Sequence, residues 1–535
     1  MFALLGAVLT VEAAGTESFR ARLPADEVIY FLLPDRFANG DPANDRGGLA
    51  GDRLATGFDP ADKGFFHGGD LAGVRAHLDY IQSLGATAVW LSPVFKNKPV
   101  QGRRGEESAG YHGYWVTDFT RVDPHFGSEQ DLRALIDAAH ARGMKVYLDI
   151  ITNHTADVIA YRECPTSACA FRSKPYTPFV PRDGEGVKVP AWLNDTALYH
   201  NRGNTTWSGE SVELGDFDGL DDLATEDPRV VKGFIDVFGA WIDRFGIDGY
   251  RVDTARHVNV EFWQAFVPAM RAKAAADGIP NFHIFGEVAN TQIDVPALAR
   301  YTREAAFPAV LDFAFANAVR ATVAGNAGTD VLARMFAEDT LYQGGEQAAL
   351  QLPTFISNHD QGRFAWFVRK DRPGASDAEV LKRVTLAYAM LMTLRGVPVI
   401  YYGDEQGFAG DGGDKAARQD MFAGFDSNQP LYRTLADLAR LRTSHPALRR
   451  GRQIVRDNSA KPGIFAVSRL DPTSQREVLV AFNTGEEPVT ATMDVAPGSR
   501  QFKALHGPCA PAPAASGRYS LTLAPLEFAI CAAGE

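Results

Sequence analysis

Eight short stretches of almost unbroken apolar residues punctuate the chain, at 28–33, 86–91, 146–151, 247–252, 283–285, 309–313, 353–356 and 397–402. Runs of this length without polar alternation read as strands buried on both faces. Between several of them the spacing becomes helical. In 128–141, Leu132, Leu135, Ile136 and Ala139 share one face, Ser128 stands at the N-cap position and Gly143 ends the run. Stretches 230–245 and 379–394 repeat the pattern. Strands alternating with helices predict an α/β chain built on a parallel (β/α)₈ TIM barrel, carried by 24–154 and 229–446.

Two regions break this rhythm. Residues 155–228 are polar and rich in Pro, Gly and Asp, far too long for a βα loop, and predict an inserted lid domain after strand 3. Beyond His445 the helical spacing stops. Residues 447–535 carry short strand-like runs at 464–467, 477–482 and 527–532 with Gly/Pro turns, which predicts a C-terminal antiparallel β-sandwich. A chain of 535 residues needs more than one core in any case.

Composition narrows the function. A net charge of −12 with no basic run excludes a phosphate backbone as partner, so no nucleic acid is expected. The apolar run at 2–11 is too short to span a bilayer and has the length of a signal core. Val11-Glu12-Ala13 offers the small residues of a cleavage site, although the first basic residue is Arg20. Residues 1–23 are therefore expected to be a signal-like or disordered segment of a secreted or periplasmic protein without a membrane span. Four cysteines in two local pairs, Cys164 with Cys169 and Cys509 with Cys531, suit two disulfides in an oxidising compartment.

The candidate chemistry lies where strands end. Asp253 in Gly249-Tyr-Arg-Val-Asp-Thr-Ala-Arg-His257, Glu287 in Phe-Gly-Glu-Val, and Asp360 in Ile-Ser-Asn-His-Asp each follow an apolar run. Acids at the carboxyl ends of different barrel strands converge on one site. With Asp149-Ile-Ile-Thr-Asn153-His154, these segments resemble, in order, the motif regions of the α-amylase family of retaining glycoside hydrolases and transglycosylases. Neopullulanase-like and cyclodextrin glucanotransferase-like members are the nearest in pattern.

The resemblance implies catalytic roles for Asp253 as nucleophile, Glu287 as acid/base and Asp360 as the residue gripping the sugar at the cleavage point. Arg251, two residues before Asp253, lies on the same strand face and would hold it ionised. His154 and His359 would bind the same sugar, and Tyr114, in Tyr111-His112-Gly113-Tyr114-Trp115, would stack beneath it, with His112 beside it. Trp115 reads as a core residue. Asp414 and Arg418 match a pair serving donor sugars further out. Arg256, where Lys is usual, and His257 would face the acceptor. Phe217 lies near the position of an aromatic that guides the glucan in glucanotransferases, at a spacing one residue longer.

Calcium is implied at one or two structural sites. One set is Asn153, Asp222 and the main-chain carbonyl of His257; the other is Asn39, Asp41, Asn44, Asp45, Gly68 and Asp70. Both offer the oxygen ligands that Ca²⁺ requires. The expected activity is a retaining α-glycosidase on α-1,4-glucans such as starch, maltodextrin, pullulan or cyclodextrin. Alternatives within the same chemistry are a glucanotransferase, a maltose isomerase and a sucrose- or isomaltose-directed glucosidase. A non-catalytic sugar-binding protein on the same fold is the alternative of another class.

Overall fold

The computed structural model describes residues 19–164, 166, 168–513 and 517–534; the apolar run at 2–11 and its cleavage-like site lie outside them. Eight parallel strands form the centre: β1 (Ile29–Leu32), β2 (Ala88–Leu91), β3 (Lys145–Ile150), β4 (Gly249–Val252), β5 (His283–Gly286), β6 (Ala309–Val310), β7 (Pro353–Thr354) and β8 (Val397–Tyr401). Their order is β6-β5-β4-β3-β2-β1-β8-β7. Asp312 N–H donates to the Pro353 carbonyl at 2.9 Å and so bridges β6 and β7, the remaining gap in the ring. This is a (β/α)₈ barrel.

Why these strands lack alternation is visible in β1. Phe31 points inward and stacks on Trp90 of β2 with ring centroids 3.9 Å apart. Tyr30 points outward, where its hydroxyl donates to Glu405 at 2.7 Å. Both faces are dry, so neither is polar.

The three helices expected from the spacing form: α1 (Glu129–Ala141), α2 (Pro228–Phe245) and α3 (Asp377–Thr393). Ser128 caps α1 through a reciprocal box with Asp131, and Leu132, Leu135, Ile136 and Ala139 are its buried face. Asp227 caps α2 and Ser376 caps α3. Six strands are shorter than the apolar runs suggest, and β6 and β7 keep only two residues each. After β6 the Asp312 carboxylate accepts the Phe315 N–H and starts the helix Phe313–Val319, so the apolar run continues as helix.

The excursion between β3 and β4 returns to its origin. His154–Thr155 pairs antiparallel with Asp221–Asp222, which anchors the inserted segment over the carboxyl ends of the strands. A second short pairing, Ala160–Tyr161 with Pro178–Phe179, and the Cys164–Cys169 disulfide organise its interior.

At the carboxyl end come β9 (Arg452–Asp457), β10 (Ile464–Leu470), β11 (Glu477–Asn483), β12 (Val489–Asp494), β13 (Phe502–His506), β14 (Arg518–Leu523) and β15 (Phe528–Ala533). They form an antiparallel sheet β9-β10-β11-β15-β13 and a facing pair β12-β14. The period of two sorts the side chains. Phe465, Val467, Val478, Val480 and Ile530 join the barrel's core, while Ala466, Leu479, Ala481, Ala529 and Cys531 pack with Met493, Tyr519 and Leu521 of the facing pair. The second disulfide, Cys509–Cys531, ties the segment after β13 to β15. Among the described residues no helix is long and apolar enough to cross a membrane.

Candidate active site

The carboxyl ends of β3, β4 and β5 hold the central charges in a fixed register. Arg251 of β4 pairs with Asp149 of β3 on one side and Phe285 of β5 on the other. Asp253 is the first residue after β4, with its N–H on the Ile150 carbonyl at 2.9 Å. Glu287 is the first residue after β5, with its N–H on the Val252 carbonyl at 2.8 Å. Asp360 arrives from the loop after β7, where Asn358 Oδ1 accepts the N–H groups of Asp360 and Gln361 and turns the chain.

Arg251 is the hub. Its Nη1 donates to Asp149 Oδ1 at 2.7 Å and Asp253 Oδ1 at 2.8 Å, and its Nη2 lies 2.7 Å from Glu287 Oε1. The sequence predicted the contact with Asp253; those with Glu287 and Asp149 are new. Asp149 is completely buried, and its second oxygen accepts from Tyr114 Oη at 3.1 Å and Trp90 Nε1 at 3.2 Å. Tyr114 Oη also lies 2.8 Å from His359 Nε2. On the far side Arg418 donates to Asp360 Oδ1 at 2.9 Å and pairs with Asp414 at 2.7 Å.

Five carboxyl groups thus crowd two guanidinium groups, and the proton affinities of Asp149, Asp253, Glu287 and Asp360 move accordingly. Burial raises Glu287, and Asp360 adds to the rise, against the opposing pull of Arg251 and of the Thr254 N–H that donates to it at 3.0 Å. Burial also lifts Asp253 well up, with Glu287 and Asp149 reinforcing and Arg251 opposing, and carries Asp149 to about 7. Asp360 goes the other way. Burial works to raise it but its cationic neighbours outweigh that, and 46% of its side chain opens to the cleft. His359 is itself pushed down to about 3 by burial, so near neutral pH it is uncharged and Arg418 is the lasting cation on Asp360. Asp149, Asp253 and Glu287, which share Arg251, therefore hold protons more strongly than bulk carboxylates do.

Asp253, Glu287 and Asp360 line one cleft of about 610 Å³, with Asp149 buried behind it. It includes every residue expected to touch substrate except Arg251, which sits beneath its floor: His112, Tyr114, His154, Arg256, His257, His359, Asp414 and Arg418 are on its walls. Phe217 is there too, stacked on His154 at 5.5 Å. His154 Nε2 and His359 Nδ1 are buried without a partner. Trp115 corrects the sequence reading. It is half-buried and lines the cleft, its main-chain N–H held by Oδ1 of the buried Asn97 at 2.5 Å. Two further residues escaped the sequence reading. Asp149 carried the signal of a carboxylate inside an apolar strand. Trp207, 54% exposed at φ 61°, stands edge-on to Phe217 and His257 on the lid side of the cleft.

Asn153 and Asp222 of the first candidate metal set come together, as do the members of the second. Leu223 N–H donates to the Asn153 carbonyl at 2.9 Å, Asp222 pairs with His154 across the hairpin, and Asn153 Oδ1 is buried without a partner. His200 Nδ1 contacts Asp222 at 2.6 Å. The His257 ring faces the cleft, with Nδ1 on the Val212 carbonyl, so only its main-chain oxygen is in question for a metal. In the second set Asp70 accepts from Gly40 N, Asp41 N and Asn44 Nδ2, and Asn39 donates to Asp45 at 2.8 Å. Asn44 Oδ1 is buried without a partner. Gly68, at φ 94°, passes so close to Asp45 that a Cβ there would lie 2.7 Å from Asp45 Oδ1. Among the described residues no three His, Cys, Asp or Glu side chains form a metal cluster, and the unpartnered donors in the two sets are the amide oxygens of Asn153 and Asn44, a kind that fits a hard cation.

The alpha amylase catalytic domain family model matches residues 31–440. An α-amylase of Streptomyces lividans is 44% identical over 510 residues, covering 86% of this chain and 55% of its own length. A cyclomaltodextrin glucanotransferase of Geobacillus stearothermophilus is 32% identical over 456 residues, covering 83% of this chain and 57% of its own. The chain thus spans a little over half the length of these relatives. A solved α-amylase from Geobacillus thermoleovorans, complexed with acarbose, superposes with a TM-score of 0.75 at 28% identity, over 96% of this chain and 99% of that one.

The buried Asp149–Arg251 contact gives a structural expectation. Asp149→Ala leaves a buried guanidinium short of an anion and should cost about 3–5 kcal/mol of stability in chemical denaturation. Asp149→Asn, which keeps the shape and the hydrogen-bond acceptor, should cost clearly less.

Proposed function

Because the chain belongs to the alpha-amylase catalytic domain family, we propose that it cleaves α-1,4-linked glucans with retention of configuration through a covalent glycosyl-Asp253 intermediate. The observation that carries this reading is Arg251 gripping Asp253 and Glu287 together at the ends of adjacent strands, in a cleft that Asp360 enters from the opposite side. Retaining hydrolysis uses two carboxyl groups about 5–5.5 Å apart across the sugar.

In the first step Asp253 attacks the anomeric carbon while Glu287 gives its proton to the glycosidic oxygen, releasing the acceptor-side sugar and forming the ester. In the second, Glu287 takes a proton from water or from a sugar hydroxyl, which attacks the same carbon and frees Asp253. Arg251 opposes the rise that burial imposes on Asp253, favours its anion and aims its oxygen. Asp360 and the neutral His359 bind the hydroxyls of the reacting sugar, where contacts that tighten in the transition state accelerate the chemistry. Tyr114 lies beneath that ring. Asp149 acts through Arg251 and is a positioning residue.

Transfer to a sugar acceptor is a second reading, and Trp207 is what favours it. An exposed indole on the cleft wall offers apolar area to a pyranose that it does not offer to water. We further propose calcium as a structural ion at the Asn153 set and the Asn39–Asp70 set; when bound it would clamp the lid to the barrel and stiffen the loop after β1. Export to an oxidising compartment is proposed on the strength of the two disulfides.

A time course on maltoheptaose tests the reaction. Shorter oligosaccharides alone mean hydrolysis; early longer or cyclic products mean transfer; conversion only of maltose, sucrose or isomaltose would move the activity to the isomerase or glucosidase alternatives. Purified Asp253→Asn and Glu287→Gln should each lose several orders of magnitude in kcat with the fold intact, and near-normal turnover in either would overturn the assignment.

The raised Glu287 sets the pH profile. Its acid form is the active one, so kcat/KM should fall as pH rises through a value above the ordinary glutamate range, about 4.3. Asp360→Asn removes one cause of the rise and should move that descending limb to lower pH in the residual activity. Calcium is tested by chelation: EDTA should lower the melting temperature and added Ca²⁺ should restore it, whereas an unchanged melting temperature would remove the ion from the account.

A further inference from the structure

Tyr111 opens the segment that carries His112, Tyr114 and Trp115, yet it has no role so far. It is completely buried at the back of the cleft. Its ring carries the Arg36 guanidinium, 3.9 Å from the ring centroid. Arg36, which follows β1, is fully buried and firmly held. Its Nη1 donates to Asp35 Oδ2 at 2.7 Å and the Phe65 carbonyl at 3.0 Å, and its Nη2 to the Lys63 carbonyl at 2.8 Å. Its Nε has no hydrogen-bond partner and lies 3.9 Å from Asp420, which His67 Nδ1 contacts at 2.7 Å.

The Tyr111 hydroxyl accepts from Arg418 Nη1 at 3.2 Å, and among the described residues that is the one hydrogen bond this nitrogen makes. The other two nitrogens of Arg418 serve the reacting centre. Nε donates to the His359 carbonyl at 3.0 Å, and Nη2 donates to Asp360 Oδ1 at 2.9 Å and lies 2.7 Å from Asp414. A guanidinium is planar and rigid, so a bond at one nitrogen constrains the direction of the others. With Nη1 tied to Tyr111 the plane cannot rock about its Nε–Nη2 edge, and Nη2 stays aimed between the two carboxylates.

We propose that Tyr111 is a positioning residue for the reaction: backed by Arg36, it fixes the plane of the Arg418 guanidinium, which keeps Asp360 oriented and matched to a cation. The proposal rests on the glycosidase reading of Asp253, Glu287 and Asp360. His359, Arg418 and Arg251 face Asp360 from one set of elements, and the acids Glu287 and Asp253 from another. A loosened Arg418 leaves the Asp360 charge less compensated, and Glu287, which that charge already raises, then holds its proton more strongly.

A double-mutant cycle tests this, with Tyr111→Phe, Arg418→Met and the pair. The readout is kcat/KM across pH on maltoheptaose, or on whichever of maltose, sucrose and isomaltose the wild type cleaves. Tyr111→Phe keeps the ring against Arg36 and removes only the hydroxyl. It should lower kcat/KM about tenfold, the worth of one hydrogen bond to a charged group. It should also move the descending limb to higher pH, opposite to Asp360→Asn. In the Arg418→Met background the same change should have no further effect. An equal loss in both backgrounds, no loss, or a lowered profile with an unmoved limb overturns the proposal. If Arg418→Met does not fold, 3-fluorotyrosine in place of Tyr111 decides. Its weaker acceptor oxygen, in nearly the same shape, should give a smaller loss and a smaller displacement in the same directions, and wild-type behaviour would dismiss the role. A wild type that cleaves none of the four sugars overturns the glycosidase reading instead. The proton affinity of Asp360, followed by carbon-13 carboxyl shifts, then decides Tyr111 separately: it should be higher in Tyr111→Phe, and equal values would dismiss the role.

Discussion

One guanidinium organises the centre of this molecule. Asp149, Asp253 and Glu287 stand at the ends of three adjacent strands, and without a cation among them burial and their mutual repulsion would drive them to take up protons. Arg251 reaches all three at 2.7–2.8 Å. It does so because parallel pairing puts Arg251 level with Asp149, and because the period of two aims Arg251 and Asp253 at the same side. The barrel's function here is registry: it brings charges from distant parts of the sequence to one height. A single arginine then opposes, in all three at once, the rise in proton affinity that burial imposes.

Much of this was legible in the sequence, and the reasons for the rest are specific. The eight strands are readable because residues dry on both faces have no polar alternation to confuse them, as Tyr30 and Phe31 illustrate. Asp253 and Glu287 are readable because they follow such runs immediately. Asp149 was passed over because it sits inside its run, one place before the strand ends, and its importance comes from a neighbour across β3 and β4 that linear spacing does not reveal. Trp115 was misread for the converse reason. An aromatic next to Tyr114 looks like core, yet the chain turns there and leaves its indole at the cleft. Trp207 had no periodic context at all, since the inserted segment is held by local turns and a two-residue pairing. The early end of β6 was hidden by Asp312, a capping residue whose effect competes with the apolar run around it.

The carboxyl-terminal sheet shows how one pattern can serve two cores. In β10 and β11 nearly every residue is buried, which reads like a barrel strand, but here the two faces belong to different hydrophobic clusters. The sheet is a shared wall, and Phe465 and Ala466, adjacent in sequence, report on different interiors. The barrel's lower region is correspondingly coupled to the sheet: Arg469 of β10 donates to the Thr393 carbonyl at the end of α3.

The pairing of β1 with β8 carries a consequence for how the chain comes into being. Ile29 finds its partner in Val399, almost the whole barrel later. As the chain emerges from its amino end, the open side of β1 keeps its main-chain donors and acceptors free until nearly every other strand has been made. Such an edge is a template for pairing with another chain, and the residues flanking it are apolar. Assembly is therefore exposed to its greatest hazard at its earliest strand, and a delay near the end of synthesis should be paid in aggregation more than in misplaced chemistry.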